Sequence, residues 1–146
     1  MFDTCIAMET TKRVSREHNG RAFVVDNPKN CEIGVIQIDG CVIDDQSKRI
    51  DWAVALPENK RLNSGLRSLK LIELKRSNVL KAFEQMQATI DHVALHDVRG
   101  KIDECFIVSQ IKPAVLSTVQ NAILKFELRH NVRIRAVPKA AIPANG

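Results

Sequence analysis

The sequence predicts an α/β domain in which helices pack on a mixed (α+β) sheet. Its 146 residues are 45% hydrophobic and 27% charged, which is typical of one folded domain with one hydrophobic core. Aromatic residues make up only 4% of the chain, so the core is expected to be mainly aliphatic. Strand-like apolar runs precede two stretches that have the period of an amphipathic helix. A sheet with helices on its faces buries both patterns.

The N-terminal part is polar and mixed, and residues 1–20 are predicted to be a helical or extended segment. A short helix is predicted over residues 10–16, stopping near Asn19 and Gly20. A short strand over residues 21–25 then leads into a turn.

Three strands are predicted next. Residues 33–43 and 49–56 are rich in strand-forming residues and are joined by a polar turn, which indicates a hairpin. A polar connection leads to the third strand over residues 69–75. If the second and third strands pair antiparallel, the start of one lies beside the end of the other.

The second half of the chain alternates helices and strands. A helix capped by Ser77 or Asn78 is predicted to run to residues 98–100. A central strand over residues 104–110, a second helix ending near Asn131 and a last strand over residues 132–137 follow. Residues 138–146 read as a loose tail, and the whole chain, 1–146, is predicted to form one domain.

Charge and cysteine usage suggest a setting and a partner. The net charge is +5 and the sequence pI is about 9.2, which favours a polyanion such as nucleic acid. The cysteines (Cys5, Cys31, Cys41 and Cys105) form no Cys-x-x-Cys pair, and three of them read as small core residues. No apolar run is long enough to span a membrane. These features predict a reduced, soluble, cytoplasmic protein.

Three charged residues carry the chemistry in the sequence. Glu73 and Lys75 alternate with Ile72 and Leu74, so both charges point to one side of a strand that otherwise reads as buried. Asp51, between apolar neighbours on the preceding strand, can lie beside Glu73. Two carboxylates form an oxygen-rich site that suits Mg²⁺ or Mn²⁺. Lys75 could then orient or deprotonate an attacking water, or offset transition-state charge, as phosphodiester hydrolysis requires.

The spacing of these residues resembles the PD-(D/E)XK nuclease superfamily. Asp51, a gap of about twenty residues, Glu73-Leu74-Lys75 and a following helix with Gln85 match its motif, and the string of Ile38-Asp39-Gly40-Cys41 onward is similar to small bacterial members. The resemblance spans roughly residues 21–95. It implies a restriction-endonuclease-like core of order αβββαβ, extended here by a C-terminal helix and strand.

The resemblance also implies roles for individual residues. Asp51, Glu73 and the Leu74 carbonyl would hold the metal ion, Lys75 would be the catalytic lysine, and Gln85 would steady the site or a phosphate. Ile50 stands where the name-giving proline would be, and a first-helix acid, either Glu9 or Glu17, is not fixed by any motif.

Several polar residues have competing interpretations. Asp39 is either a third acid or, as we favour, a turn residue before Gly40. His92 and His96 have a spacing that can bind metal, but they lack partners and are predicted to be surface residues. The basic residues expected to contact nucleic acid are Lys48, Arg49 and Arg76, with scattered solvated charge as the alternative.

The sequence therefore predicts a metal-dependent nuclease, with DNA favoured over RNA, acting as an endonuclease in phage defence, restriction or repair. Homodimerisation or a partner protein would supply target recognition. The alternatives are a catalytically inactive nucleic-acid- or protein-binding module on the same fold, and a small regulatory or toxin-like protein whose charges are structural.

Overall fold

The strands form two sheets that are stacked on one another in the computed structural model, which describes residues 2–145. Within that range the strands are β1 (Ile6–Glu9), β2 (Arg13–His18), β3 (Arg21–Asp26), β4 (Ile33–Gln37), β5 (Trp52–Pro57), β6 (Leu66–Leu74), β7 (Ile102–Val108), β8 (Arg133–Val137) and β9 (Ala140–Pro143). The larger sheet has the order β1-β4-β5-β6-β7-β8, and the smaller one has the order β2-β3-β9.

The larger sheet is mixed, as predicted. Strands β1, β4, β5 and β6 pair antiparallel, whereas β6, β7 and β8 pair parallel. Parallel neighbours need a crossover connection. Helix α1 (Val79–Asp91) lies between β6 and β7 in the chain, and helix α2 (Leu116–His130) lies between β7 and β8. The predicted α/β class, with two helices following the third strand of a mixed sheet, is therefore confirmed.

Both faces of the larger sheet are buried, each in its own hydrophobic layer. On one face, Leu69 and Leu71 of β6 pack with Phe83 and Met86 of α1. On the other face, Ile72 of β6 packs with side chains of the smaller sheet. Because strand side chains alternate, Glu73 belongs to the helix-covered face.

Helix α1 is shorter than predicted. It begins after Asn78, which has a left-handed backbone (φ 57°) and whose side chain makes no capping hydrogen bond. It ends at Asp91 because His92 turns to an extended conformation, and the His92 ring accepts a hydrogen bond from the Ala94 backbone N–H. A 3₁₀ segment over Val93–Lys101 follows. Helix α2 stops at Asn131 (φ 54°), as the sequence indicated.

The predicted N-terminal helix is wrong. Residues 13–18 form β2, which pairs antiparallel with β3. Asn19 (φ 55°) and Gly20 (φ 71°) make the two-residue hairpin turn that this dipeptide favours, rather than a helix stop. The pattern around Val14 has a period of two, since Val14 is buried and its neighbours are exposed.

The predicted loose tail is also wrong. Residues 140–143 form β9, which runs parallel to β3. Ile142 is fully buried in the layer between the two sheets, and its burial anchors this segment.

The cysteines divide into two kinds. Cys31 and Cys105 are free and buried, as predicted. Cys5 and Cys41 form a disulfide, so the expectation of a fully reduced chain is wrong; pairing of β1 with β4 brings their Cα atoms to 5.7 Å. Neither α1, α2 nor any other helix in residues 2–145 has the length and apolar character needed to cross a membrane.

Candidate functional site

Strand register brings the two predicted acids together. Strands β5 and β6 pair antiparallel with Trp52 opposite Ile72, so the next positions outward are Asp51 and Glu73. Asp51 lies in a bend immediately before β5 rather than in the strand itself. The second predicted strand therefore begins later than expected. Residues 38–43 form a turn that packs against Asp51, and the Ile38 N–H donates a hydrogen bond to the Asp51 carbonyl at 3.0 Å.

Backbone N–H groups orient the carboxylates of both acids. The Asp51 N–H donates to Glu73 Oε1 at 3.1 Å, and the Leu74 N–H donates to Asp51 Oδ2 at 3.0 Å. Each carboxylate is thus oriented by an amide of the neighbouring chain segment. Both acids are therefore fixed by the β5–β6 pairing rather than by flexible side-chain contacts alone.

Glu73 is the most buried charged group of the site. It is 3% exposed, while Asp51 is half-buried. Burial, followed by the negative charge of Asp51, raises the pKa of Glu73 to about 8, and the nearby Lys75 ammonium opposes this rise. Lys75 Nζ lies 3.7 Å from Glu73 Oε2. The pair is thus poorly neutralised by the protein itself.

Gln85 of α1 connects the lysine to the loop before β5. Lys75 Nζ donates to Gln85 Oε1 at 2.7 Å, and Gln85 Nε2 donates to the Arg49 carbonyl at 3.0 Å. Gln85 is half-buried at the flank of the apolar stripe, where the sequence located it. The four residues predicted to form the site, Asp51, Glu73, Lys75 and Gln85, are therefore brought together.

Thr89 supports the same loop and was not assigned a role from the sequence. Its hydroxyl accepts from the Ile50 N–H at 3.0 Å and donates to the Gln85 carbonyl at 2.8 Å. Thr89 is fully buried. A polar residue inside the apolar stripe of α1 was the signal that could have revealed it.

The predicted basic contacts differ in their availability. Lys48 pairs with Glu84 at 2.9 Å, and the Arg49 guanidinium binds Asp39 at 2.8 Å as well as the Asp45 and Ser47 carbonyls. Arg49 thus organises its own loop. Arg76 is exposed and pairs with no acid in residues 2–145.

The remaining acids stay outside the pair. Asp39 lies in the turn before Gly40 (φ 78°), which agrees with its interpretation as a turn residue. Glu9 and Glu17 lie on strands β1 and β2, and no helix precedes them within residues 2–145; the Glu9 carboxylate pairs with Arg16. Across the described range, no cluster of three or more His, Cys, Asp and Glu side chains is positioned to hold a metal ion.

The histidine pair does not form a site. The His92 ring caps the 3₁₀ segment and contacts Asp45 at 3.0 Å. His96 is exposed on that segment, so the two residues do not share one α-helical face. The prediction of a surface position holds for His96, whereas the His92 side chain is only 14% exposed.

A spacious cavity lies away from these residues. It has a volume of about 830 Å³ and is lined by residues that include Pro57, Glu58 and Arg67, at the opposite end of the β5–β6 pair. Its size alone does not indicate a function.

No family model, curated protein or solved structure matches this chain. The assignment of a function therefore depends on the chemistry of the buried acid pair. Asp51 and Glu73 supply two carboxylates, Lys75 lies beside them, and hydrogen bonds orient all three side chains.

Proposed function

We propose that the protein is a metal-dependent nuclease that hydrolyses phosphodiester bonds, acting as an endonuclease on DNA. The observation that carries the proposal is the buried Glu73 carboxylate beside the half-buried Asp51, with Lys75 next to it. A carboxylate that is 3% exposed and adjacent to a second acid is costly unless a cation compensates it. Lys75, at 3.7 Å, offsets this charge only in part.

The donor set fits a hard divalent cation. Asp51 and Glu73 supply carboxylate oxygens, the ligands that Mg²⁺ and Mn²⁺ prefer, and the resemblance to PD-(D/E)XK nucleases adds the Leu74 carbonyl. When bound, such an ion would polarise the phosphoryl group and lower the pKa of a water molecule. The elevated pKa of metal-free Glu73 is the expected property of a ligand that becomes fully charged only beside a cation.

Lys75 and Gln85 have separate roles in this proposal. Lys75 offers its ammonium group to the attacking water and to the charge that develops on the phosphate. Gln85 is a positioning residue, because its amide binds Lys75 Nζ at 2.7 Å and is itself attached to the Arg49 carbonyl. A lysine held in this way is pre-oriented, and pre-orientation lowers the cost of reaching the transition state.

The order of elements supports the same family. Strands β4, β5 and β6, helix α1 and the parallel strand β7 follow one another in the order βββαβ, which supports the core that the resemblance implies. Strands take the place of its first helix here. We infer a divergent member in which Asp51 and Glu73 act without an acid from that helix.

The net charge of +5 supports a polyanionic substrate, and we favour DNA over RNA. Recognition would come from a second copy of the chain or from a partner protein. Phage defence, restriction and repair are the roles we propose, in the cytoplasm; the Cys5–Cys41 disulfide is unusual for that compartment.

The test is a cleavage assay on plasmid, linear duplex, single-stranded DNA and RNA with Mg²⁺ or Mn²⁺. Glu73→Ala and Lys75→Ala should each lower the cleavage rate by at least about 100-fold, because each removes a group that acts in the transition state. Glu84→Ala is the matched control, since Glu84 is an exposed acid on α1 that pairs with Lys48 and lies outside the acid pair.

Cleavage that persists in both site variants would refute the assignment. A wild-type protein that binds nucleic acid but cleaves none of these substrates would favour the alternative, a catalytically inactive binding module.

A further inference from the structure

A small cavity opens where β6 and β7 end and α1 begins. It has a volume of about 220 Å³. Its walls are formed by the connection from β6 to α1, the first turn of α1 and the segment after β7; the polar residues among them are Arg76, Ser77, Asn78, Ser109, Gln110 and Lys112. The carboxyl ends of parallel strands are where α/β sheets bind ligands.

Ser109 supplies a buried hydroxyl to this cavity. It is 1% exposed, yet its hydroxyl makes no hydrogen bond to any residue in the described part of the chain. Ile107 packs in the helix-side layer and Val108 in the opposite one. By strand alternation the Ser109 side chain points to the helix side, where the cavity lies. Buried hydroxyls are normally paired, so this one is available for a ligand.

The first turn of α1 offers further donors. Asn78 does not cap the helix with its side chain, and the first turn contains no acidic residue. The N–H groups of Val79 and Leu80 have no acceptor within residues 2–145. Unsatisfied N–H groups at the start of a 13-residue helix, together with the helix dipole, favour an anion.

The charged residues around the cavity are all cationic. Arg76 and Lys112 are exposed, and neither pairs with an acid in the part of the chain that the structure describes. Neither Asp nor Glu lines the cavity. The cavity therefore joins hydroxyl donors, amide donors and free cations without an opposing charge, which is the chemistry that recognises a phosphate group.

We propose that this cavity binds a backbone phosphate of the nucleic-acid substrate, next to the phosphate that is cleaved at Asp51 and Glu73. The inference rests on the proposed nuclease function. Lys75 and Arg76 are consecutive residues: the first side chain contacts the acid pair and the second lines the cavity. A nucleic-acid strand that runs along this end of the sheet can therefore place one phosphate at the acid pair and the adjacent phosphate in the cavity.

The experiment measures binding without cleavage. A short fluorescent DNA duplex is titrated with the Glu73→Gln protein in EDTA, and with the same protein carrying Ser109→Ala or Lys112→Ala, over a series of salt concentrations. Lys125→Ala is the matched control, because Lys125 is an exposed lysine that lies between α1 and α2 and is not part of the cavity lining.

Ser109→Ala should weaken binding by about 3- to 10-fold, the usual effect of one lost hydrogen bond, without lowering the melting temperature. Lys112→Ala should weaken binding. It should also make the slope of log K against log salt shallower by the amount that corresponds to about one phosphate contact. Lys125→Ala should change neither quantity. Unchanged binding in both cavity variants would overturn the proposal.

Two further comparisons are needed. The first distinguishes a phosphodiester from inorganic phosphate as the ligand, and the second distinguishes failure of the cavity assignment from failure of the nuclease assignment. Backbone NMR shifts of Val79 and Leu80 that respond to DNA support a phosphodiester, whereas a response to inorganic phosphate alone overturns it. If wild type cleaves nothing but DNA binding depends on Ser109 and Lys112, the cavity assignment stands and the nuclease assignment fails. If wild type cleaves and binding ignores both residues, the cavity assignment fails.

Discussion

At the scale of single residues, Glu73 dominates the behaviour of the site. Its carboxyl group is buried beside Asp51, and Lys75 lies 3.7 Å away. A protein built only for stability would place an apolar residue or a closely paired charge at this position. The charge at this position is what the proposed metal site would explain.

The pH dependence of stability should report this burial. Unfolded Glu73 loses its proton near pH 4.5, whereas the folded pKa is about 8, so the folded protein holds an extra proton between these values. The free energy of unfolding of the metal-free protein should therefore fall by about 3 kcal/mol as pH rises from about 5 to about 8. Urea denaturation in EDTA across this range measures the effect.

Glu73→Gln should flatten that profile, because the amide does not titrate, and saturating Mg²⁺ should flatten it by favouring the charged carboxylate. Glu84→Gln provides an exposed comparison at a position outside the pair. A wild-type profile that matches the Glu73→Gln profile would contradict the assigned burial effect.

Gln85 allows a test of positioning. Gln85→Ala removes the acceptor at 2.7 Å from Lys75 Nζ, so the ammonium loses its fixed orientation. We expect the turnover number to fall by about 10-fold with little change in KM. Gln87→Ala, on the other flank of α1, should retain wild-type turnover. Single-turnover cleavage rates would decide, and equal rates for the two variants would argue against a positioning role.

Among the site residues, the sequence predicted the charged ones and, through the family resemblance, Gln85; it missed Thr89 and Ser109. Glu73 and Lys75 stand out because charge on a buried-looking strand needs an explanation, and antiparallel pairing then locates Asp51. Thr89 and Ser109 are chemically ordinary in the sequence. Their roles depend on which backbone amide or cavity they face, which only the assembled fold determines.

At the scale of elements, helices and strands were predicted correctly where the apolar residues of a segment follow one clear period. Helix α1 and strand β7 have long apolar patterns; the start of α1 and both ends of β7 lie within two residues of the prediction, whereas α1 ends earlier, at Asp91. Strand β2 has a polar outer face, and its sequence also fits a short helix, because Asn19 and Gly20 stop helices as well as forming hairpins. Strand β9 is four residues long with Ile142 as its one large aliphatic side chain, and its partner β3 is remote in sequence.

Strand β9 should contribute strongly to stability. Ile142 is fully buried between the two sheets, so Ile142→Ala should lower the free energy of unfolding by about 2–5 kcal/mol. Ala141→Ser, at an exposed position of the same strand, should change it by less than about 0.5 kcal/mol. Chemical denaturation compares the two variants. Equal stabilities would show that the tail does not dock.

At the scale of the whole molecule, one sheet serves two layers and carries the site at one end. The helices cover the face that presents Glu73, and the smaller sheet covers the other face. The acid pair is therefore supported from both sides, although only the helix side contributes groups to it. Changes in the smaller sheet should affect the site through stability rather than chemistry.

The disulfide gives a test at this scale. Cys5 and Cys41 fasten the beginning of the chain to the turn after β4. Cys41→Ser should lower the free energy of unfolding by about 2–4 kcal/mol. Dithiothreitol should destabilise wild type equally and leave the variant unchanged. A melting temperature that is insensitive to reductant in wild type would contradict this contribution.

The parallel pairing of β3 with β9 has a consequence for biosynthesis. Residues 21–26 leave the ribosome early, but their neighbour in the smaller sheet, residues 140–143, is made much later. Until then, the face of the larger sheet that packs against the smaller sheet is only partly covered. Contacts between residues so distant in sequence also form slowly. The nascent chain should therefore remain protease-sensitive until β9 has emerged from the ribosome.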